Sequence, residues 1–287
     1  MILSGRSPDS PDGTSAVRSA DGVEVTVMSS QLPSLDRTLI PQALTDRLVD
    51  YAGTFPPASL PFDDALQDFA ALASGEAGRM RRGLAWPARE LERLADLGPV
   101  YVAAIGSDEP NWDEARRRDA LALEAAPENV EFLSYECRLP VGADAGALRG
   151  FSATRVLLEL LPGDEEGLSR LAEEVEWAGA KLRTGGAAIP SPAVLAGFLH
   201  TCLALEIPFK LTAGLHSPIS HNGEFGFLSV LVAAARGLAD DLTVSEIQAL
   251  LIAPALPTIT SQEAEDVRDL FLAIGSCDLA AMAQVLA

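Results

Sequence analysis

Lysine is almost missing from this sequence. Of its twenty-one basic residues only Lys181 and Lys210 are lysines, and every other cation is an arginine. Cations as a whole are scarce: forty-one acidic residues leave a formal charge of −20, so nucleic acid and anionic membrane surfaces would be repelled at long range. Cysteine is limited to Cys137, Cys202 and Cys277, too few and too far apart for a disulfide framework or a metal-binding pair, which suggests reduced thiols in the cytoplasm. No apolar run reaches the roughly eighteen residues of a membrane span, and no basic segment followed by an apolar one opens the chain. A G-x-G-x-x-G turn after a first strand is absent, which weighs against dinucleotide binding. Ser217 has no G-x-S-x-G elbow around it, which weighs against a serine hydrolase. Hydrophobic residues make up 48% of the chain and the mean hydropathy is +0.18, enough for a sizeable core and against a disordered protein.

The placement of the two lysines needs a reason. An arginine bias across the chain could leave two lysines anywhere by accident. The chemical alternative is that an amine can lose its proton and react, whereas a guanidinium stays charged. Each lysine sits in a brief apolar run that closes on glycine: Lys181-Leu182-Arg183-Thr184-Gly185 and Lys210-Leu211-Thr212-Ala213-Gly214. They are twenty-nine residues apart, about one strand–helix–strand unit. The interval has Ser191 as a helix N-cap, Pro192 at the first helical position, and Val194, Leu195, Phe198, Leu199 and Cys202 at helical spacing. The lysines are therefore expected at similar heights on neighbouring parallel strands, with Lys181 and Arg183 on one face and Lys210 and Thr212 on one face.

Along the chain, residues 1–21 are rich in Ser, Pro, Gly and Asp and read as a flexible tail, with residues 22–287 as a single α/β domain. Val23–Val27 alternates as a strand would, either in the sheet or in the tail. Leu39–Tyr51 has helical spacing, and Tyr51 to Ala58 reads as a rigid loop in which Tyr51 and Phe55 plug the core or wall a pocket. Phe62–Leu72 is a second expected helix. Strands are then expected at 83–87, 100–106, 130–139 and 155–161, followed by the two lysine strands. Helices are expected between them at 88–97, 113–125, 165–178 and 191–206. This alternation implies a parallel sheet, either a (β/α) barrel or an incomplete barrel-like sheet, with an open doubly wound sheet as the alternative. Six strands are expected, or seven with Val23–Val27. From Phe225 onward the pattern is helical, at 225–238, 244–251, 262–274 and 279–286, covering the sheet or supplying a contact for a homo-oligomer.

Parallel α/β folds place ligands at the carboxyl ends of their strands. The polar groups expected there are Glu136, Arg138, Glu159, Lys181, Arg183, Lys210, Thr212 and His216. Charges inside apolar strands are costly to bury unless paired, so each could be a structural ion pair, but six of them converging on one end point to a site. His216 and His221 lack a third ligand and a helix to set their geometry, so no metal is expected, and no cofactor.

On these residues, the segment from Lys181 to Gly214 resembles the sixth and seventh strands of deoxyribose-phosphate aldolase-like class I aldolases. That resemblance implies a TIM barrel in which Lys181 stands where the family has its Schiff-base lysine. Lys210 stands where a second lysine lowers the first one's pKa. Arg183 departs from the pattern, occupying the place of a small hydroxyl residue. The stretches Asp50–Ala58 and Thr212–Phe227 are also similar to "YAG-x-FPPA" and "TAGLHHP" elements of an uncharacterised bacterial family, with Ser217 replacing the second histidine. The resulting expectation is an aldolase-type lyase acting on a small anionic carbonyl compound. Lys181 would form the imine, Lys210 would keep it partly unprotonated, Glu159 or Glu136 would move protons, and Arg138, Arg183, Thr212 and His216 would bind substrate. The alternatives are a non-covalent isomerase, decarboxylase or dehydratase in the same pocket, and a non-catalytic metabolite-binding protein.

Overall fold

The computed structural model describes residues 15–18, 24–27, 40–140, 148–151, 155–174, 176–186 and 189–287. The chain divides into two units, Met1–Asp36 and Arg37–Ala287. In the first, strands β1 (Ser15–Arg18) and β2 (Glu24–Val27) pair antiparallel, with Ser15 opposite Val27. The tail expected over residues 1–21 otherwise lies outside the described residues. Of the alternating segment 23–27, the described residues Glu24–Val27 thus pair with β1 and are not among the barrel strands.

The second unit is a closed eight-stranded parallel barrel. Its strands are β3 (Val49–Tyr51), β4 (Arg81–Pro87), β5 (Val100–Ile105), β6 (Val130–Arg138), β7 (Val156–Leu160), β8 (Ala178–Arg183), β9 (Phe209–Thr212) and β10 (Phe271–Ser276). Neighbours in sequence are neighbours in space, and β10 closes the ring by pairing with both β9 and β3. Closure rules out the incomplete and open sheets. Two expected helices are corrected by it. Within the described part of the segment 39–51 there is only a short helix α1 (Gln42–Thr45) before β3, and the segment 262–274 splits into helix and strand at Phe271.

Helices α2 (Phe62–Ala71) and α3 (Gly75–Met80) precede β4, and a 3-10 segment, Ala88–Leu94, precedes β5. Helices α4 (Trp112–Glu124), α5 (Glu165–Ala172) and α6 (Pro192–Ala204) lead into β6, β8 and β9. Three more, α7 (Phe227–Ala239), α8 (Val244–Leu251) and α9 (Ser261–Leu270), lie before β10, and α10 (Leu279–Leu286) follows it. Ser191 caps α6 by accepting from the Val194 amide at 3.3 Å, while Thr243 and Thr260 form capping boxes with Glu246 and Glu263. Almost every residue of α7 is buried, which accounts for its apolar sequence.

Strand alternation decides which side chains enter the barrel. Phe209 faces outward, its ring 5.8 Å from Phe198 of α6 and 4.8 Å from its register partner Phe271. Burying that aromatic cluster under α6 turns the next residue, Lys210, into the interior. A one-residue slip would place the amine among the phenyl rings, so the apolar layer fixes the register of the charged one.

Candidate active site

The lysine strands β8 and β9 are the sixth and seventh of the ring, and Lys181 is the direct register partner of Lys210. Glu159 on β7 is opposite Lys181 from the other side. Gly275 on the next strand packs closely beside this pair: a Cβ added there would come within 2.9 Å of Thr212.

These groups form one chain of alternating charge. Arg82 reaches Asp50 at 2.9 Å, Asp50 accepts from Lys210 at 2.6 Å, and Lys210 donates to Glu136 at 2.5 Å. The second oxygen of Glu136 is 3.1 Å from the Lys181 ammonium, which is also 3.2 Å from Glu159. Glu159 in turn meets Arg183 and Arg138, each at 3.5 Å, and Arg138 reaches Asp108 at 3.0 Å. Ser134 donates to Glu136 at 3.0 Å. Exposure rises from Asp50 onward: the side chains of Asp50, Lys210 and Glu136 are fully buried, whereas Arg183 and Arg138 are about half exposed. Buried charges persist at this density because each sits between opposite charges.

Burial would raise the Glu136 carboxyl, but the ammoniums of Lys210 and Lys181 outweigh it and hold it down to about 2. Burial likewise works to raise Glu159, yet Lys181 and Arg183 keep it below the usual carboxylate range. For Lys181 burial pulls downward, and Glu136 and Glu159 more than offset it, so its pKa lies above the ordinary lysine value. This corrects the expectation that Lys210 keeps Lys181 partly unprotonated. A shared carboxylate stands between the amines, and its attraction replaces the repulsion that direct contact would bring.

Two cavities open on this chain. The smaller, about 120 Å³, is lined by Glu136, Lys181, Arg183, Lys210, Thr212 and His216 together with Phe55, Ser276 and Cys277. The larger, about 370 Å³, shares Phe55, Glu136, Lys181 and Arg183 and adds Arg89, Ser107, Arg138 and Glu159. All eight residues expected from the sequence thus line one cavity or the other, and Lys181 lines both. His216 is fixed on the wall with Nδ1 3.3 Å from the Ser276 hydroxyl. The loop Tyr51–Ala58 does both things expected of it: Tyr51 is buried in the core with its hydroxyl tied to Asp68, and Phe55 walls the cavities.

The glycines that end the lysine strands let their loops touch. A Cβ on Gly185 would lie 2.6 Å from the Gly214 amide nitrogen, and Gly214 has a positive φ of 74°. The Thr184 hydroxyl ties the same loops together by donating to the Ala213 carbonyl at 2.6 Å.

Sequence reading missed Asp50, Arg82, Ser134, Ser276 and Cys277. Asp50 was hidden in a segment with helical spacing, and Arg82 in a patch of basic residues, Arg79 to Arg82. An aspartate between Val49 and Tyr51, in a run otherwise apolar, was the available signal. Among the described residues no group of His, Cys, Asp and Glu is arranged to hold a metal ion. Cys137, Cys202 and Cys277 are free thiols, the first two buried.

The fold and the charged interior define a (β/α)8 barrel of the TIM type with a lysine–carboxylate cluster inside it. Its overall structure is similar to that of a deoxyribose phosphate aldolase from Aeropyrum pernix, with a TM-score of 0.52 over 88% of this chain and 94% of that one, at 15% sequence identity. No protein-family model and no curated protein match the sequence. Among the described residues no helix is long and apolar enough to cross a membrane.

Proposed function

We propose that the chain is an aldolase-type lyase in which the Lys181 amine forms an imine with a small carbonyl compound carrying a carboxylate or phosphate. The observation that carries this reading is Lys181 between Glu136 and Glu159, facing two cavities and level with Lys210 on the next strand. Attack needs the neutral amine, so a carboxylate must take the ammonium proton when substrate displaces water. Glu159 suits that role because it faces the larger cavity and its other contacts are long. Glu136, locked between both lysines, holds the two strands' charges in place. The half-exposed Arg138 and Arg183 would bind the anionic end of the substrate, and His216 and Thr212 would contact its other polar groups.

The protonated imine is a strong electron sink: as a carboxylate takes the proton of the hydroxyl beta to it, the carbon–carbon bond breaks and one carbonyl fragment leaves. The resulting enamine takes up one proton before water hydrolyses the imine, releases the second fragment and restores Lys181. The resemblance in overall structure to an aldolase supports the class of reaction, not the substrate. A cytoplasmic setting accords with three unpaired thiols. A homo-oligomer is part of the same reading, since the Aeropyrum pernix protein is described as tetrameric. Light scattering of the full chain decides that point.

The raised pKa of Lys181 favours a second reading, in which the ammonium stays charged and polarises a carbonyl without bonding to it, as an isomerase, decarboxylase or dehydratase would require. Lys181→Arg separates the two, assayed against a panel of keto acids and sugar phosphates. The arginine keeps the charge but forms no imine, so the lyase reading expects turnover to vanish, and the second reading expects a measurable remainder.

A further inference from the structure

At the opposite end of the barrel, around the amino ends of β4 and β5, a separate hollow of about 550 Å³ is lined by Arg47, Arg81, Arg82, Phe69 and Tyr101, with apolar residues including Leu66 and Leu97. It shares no lining residue with the two cavities at the lysines. Its charge is unusual for this chain. Acidic residues outnumber basic ones by about two to one, yet among the described residues neither Arg47 nor Arg81 forms an ion pair.

Both guanidiniums instead lie over aromatic rings. Arg81 lies 4.3 Å from the Phe69 ring centroid and Arg47 5.2 Å from that of Tyr101. One Arg81 nitrogen also donates to the Phe69 carbonyl at 2.6 Å. Burial lowers the Arg81 pKa with no carboxylate to restore it. These ring contacts anchor the two side chains without using up their N–H donors, which remain suited to chelating an oxyanion. The third arginine, Arg82, is the outer end of the interior charge chain, through Asp50, Lys210 and Glu136 to Lys181.

We propose that this hollow binds a small organic phosphomonoester, with the phosphate on Arg47, Arg81 and Arg82 and the organic part on the apolar wall, and that its occupancy is sensed at Lys181. A dianion suits three guanidiniums of which only one has a countercharge, and the surrounding −20 chain disfavours the polyanionic alternatives, nucleic acid and anionic lipid surfaces. A phosphate competing for Arg82 leaves Asp50 to Lys210 alone. Lys210 then draws less on Glu136, and Glu136 holds the Lys181 proton more firmly. The proposal stands whether or not Lys181 forms an imine.

Isothermal titration of the full chain with phenyl phosphate tests the site, and inorganic phosphate tests how much the apolar wall adds. Wild type is expected to bind one equivalent, and Arg47→Gln/Arg81→Gln to bind roughly a hundredfold more weakly through loss of two charged contacts. Ala73→Phe fills the exposed rim with all arginines intact and is expected to abolish binding, so misfolding of the double variant cannot imitate the result. Binding that survives both changes but is lost in Arg138→Gln/Arg183→Gln overturns the site in favour of the other end of the barrel. The link to the interior is read by cyanate carbamylation of Lys181, quantified by peptide mass. Saturating phenyl phosphate is expected to slow it several-fold in wild type and to have no effect in Ala73→Phe. Binding with unchanged carbamylation overturns the link.

Discussion

Glu136 is the residue on which the interior charges turn, because its two oxygens separate two ammoniums in the driest part of the barrel. Replacing it with Gln removes the countercharge from both, and should cost about 3–5 kcal/mol of stability, measured by urea unfolding. The pH dependence follows from the same contacts. Since the folded pKa values of Glu136 and Glu159 are depressed, their contribution is present above the unfolded carboxylate pKa. It is lost as pH falls from about 4.5 towards 2. Lys181 has the opposite sign: its raised pKa adds stability below the ordinary lysine value, which disappears as pH rises through the folded value. Urea midpoints across pH should therefore decline on both sides of a broad plateau. In Glu159→Gln one of the two carboxylates holding the Lys181 proton is gone, so the pH profile of Lys181 carbamylation should move to lower pH. An unmoved profile would mean that Glu159 does not control that proton.

Among the elements, the two loops after the lysine strands position the site most tightly. Gly185→Ala forces a methyl group against the Gly214 backbone and should cost about 1–3 kcal/mol. Gly98→Ala meets nothing within 4 Å and should leave the melting temperature close to that of wild type. Equal melting temperatures for the two would refute the close packing of the loops. The helix-and-strand alternation around β8 and β9 was legible because Phe209 and Leu211 alternate with Lys210 and Thr212 and because Ser191-Pro192 announces α6. Strands β3 and β10 were not. Three residues, Val49 to Tyr51, are too short to show a period of two, and Leu44, Leu48 and Tyr51 imitate a helical face. Phe271–Ser276 continues without a break from α9, so its strand character comes from the open edge between β9 and β3 and not from local propensity. Asp50 was lost with β3, and with it the reason that Lys210 can be fully buried.

For the whole molecule, the excess negative charge acts against compactness. Raising ionic strength from low values to about 0.5 M should therefore increase the melting temperature by screening surface repulsion, while the buried charge chain is little affected. A chain beginning at Arg37 contains all eight barrel strands and should give an equally cooperative melt. Having only two lysines makes the chain suited to a direct covalent test. Borohydride reduction in the presence of a small panel of aldehydes and keto acids, followed by intact mass and peptide mapping, should add a single carbonyl-derived group at Lys181 and leave Lys210, paired with Asp50 and Glu136, unmodified. A turnover-competent protein that gains no adduct, or one whose adduct maps to Lys210, would contradict the account.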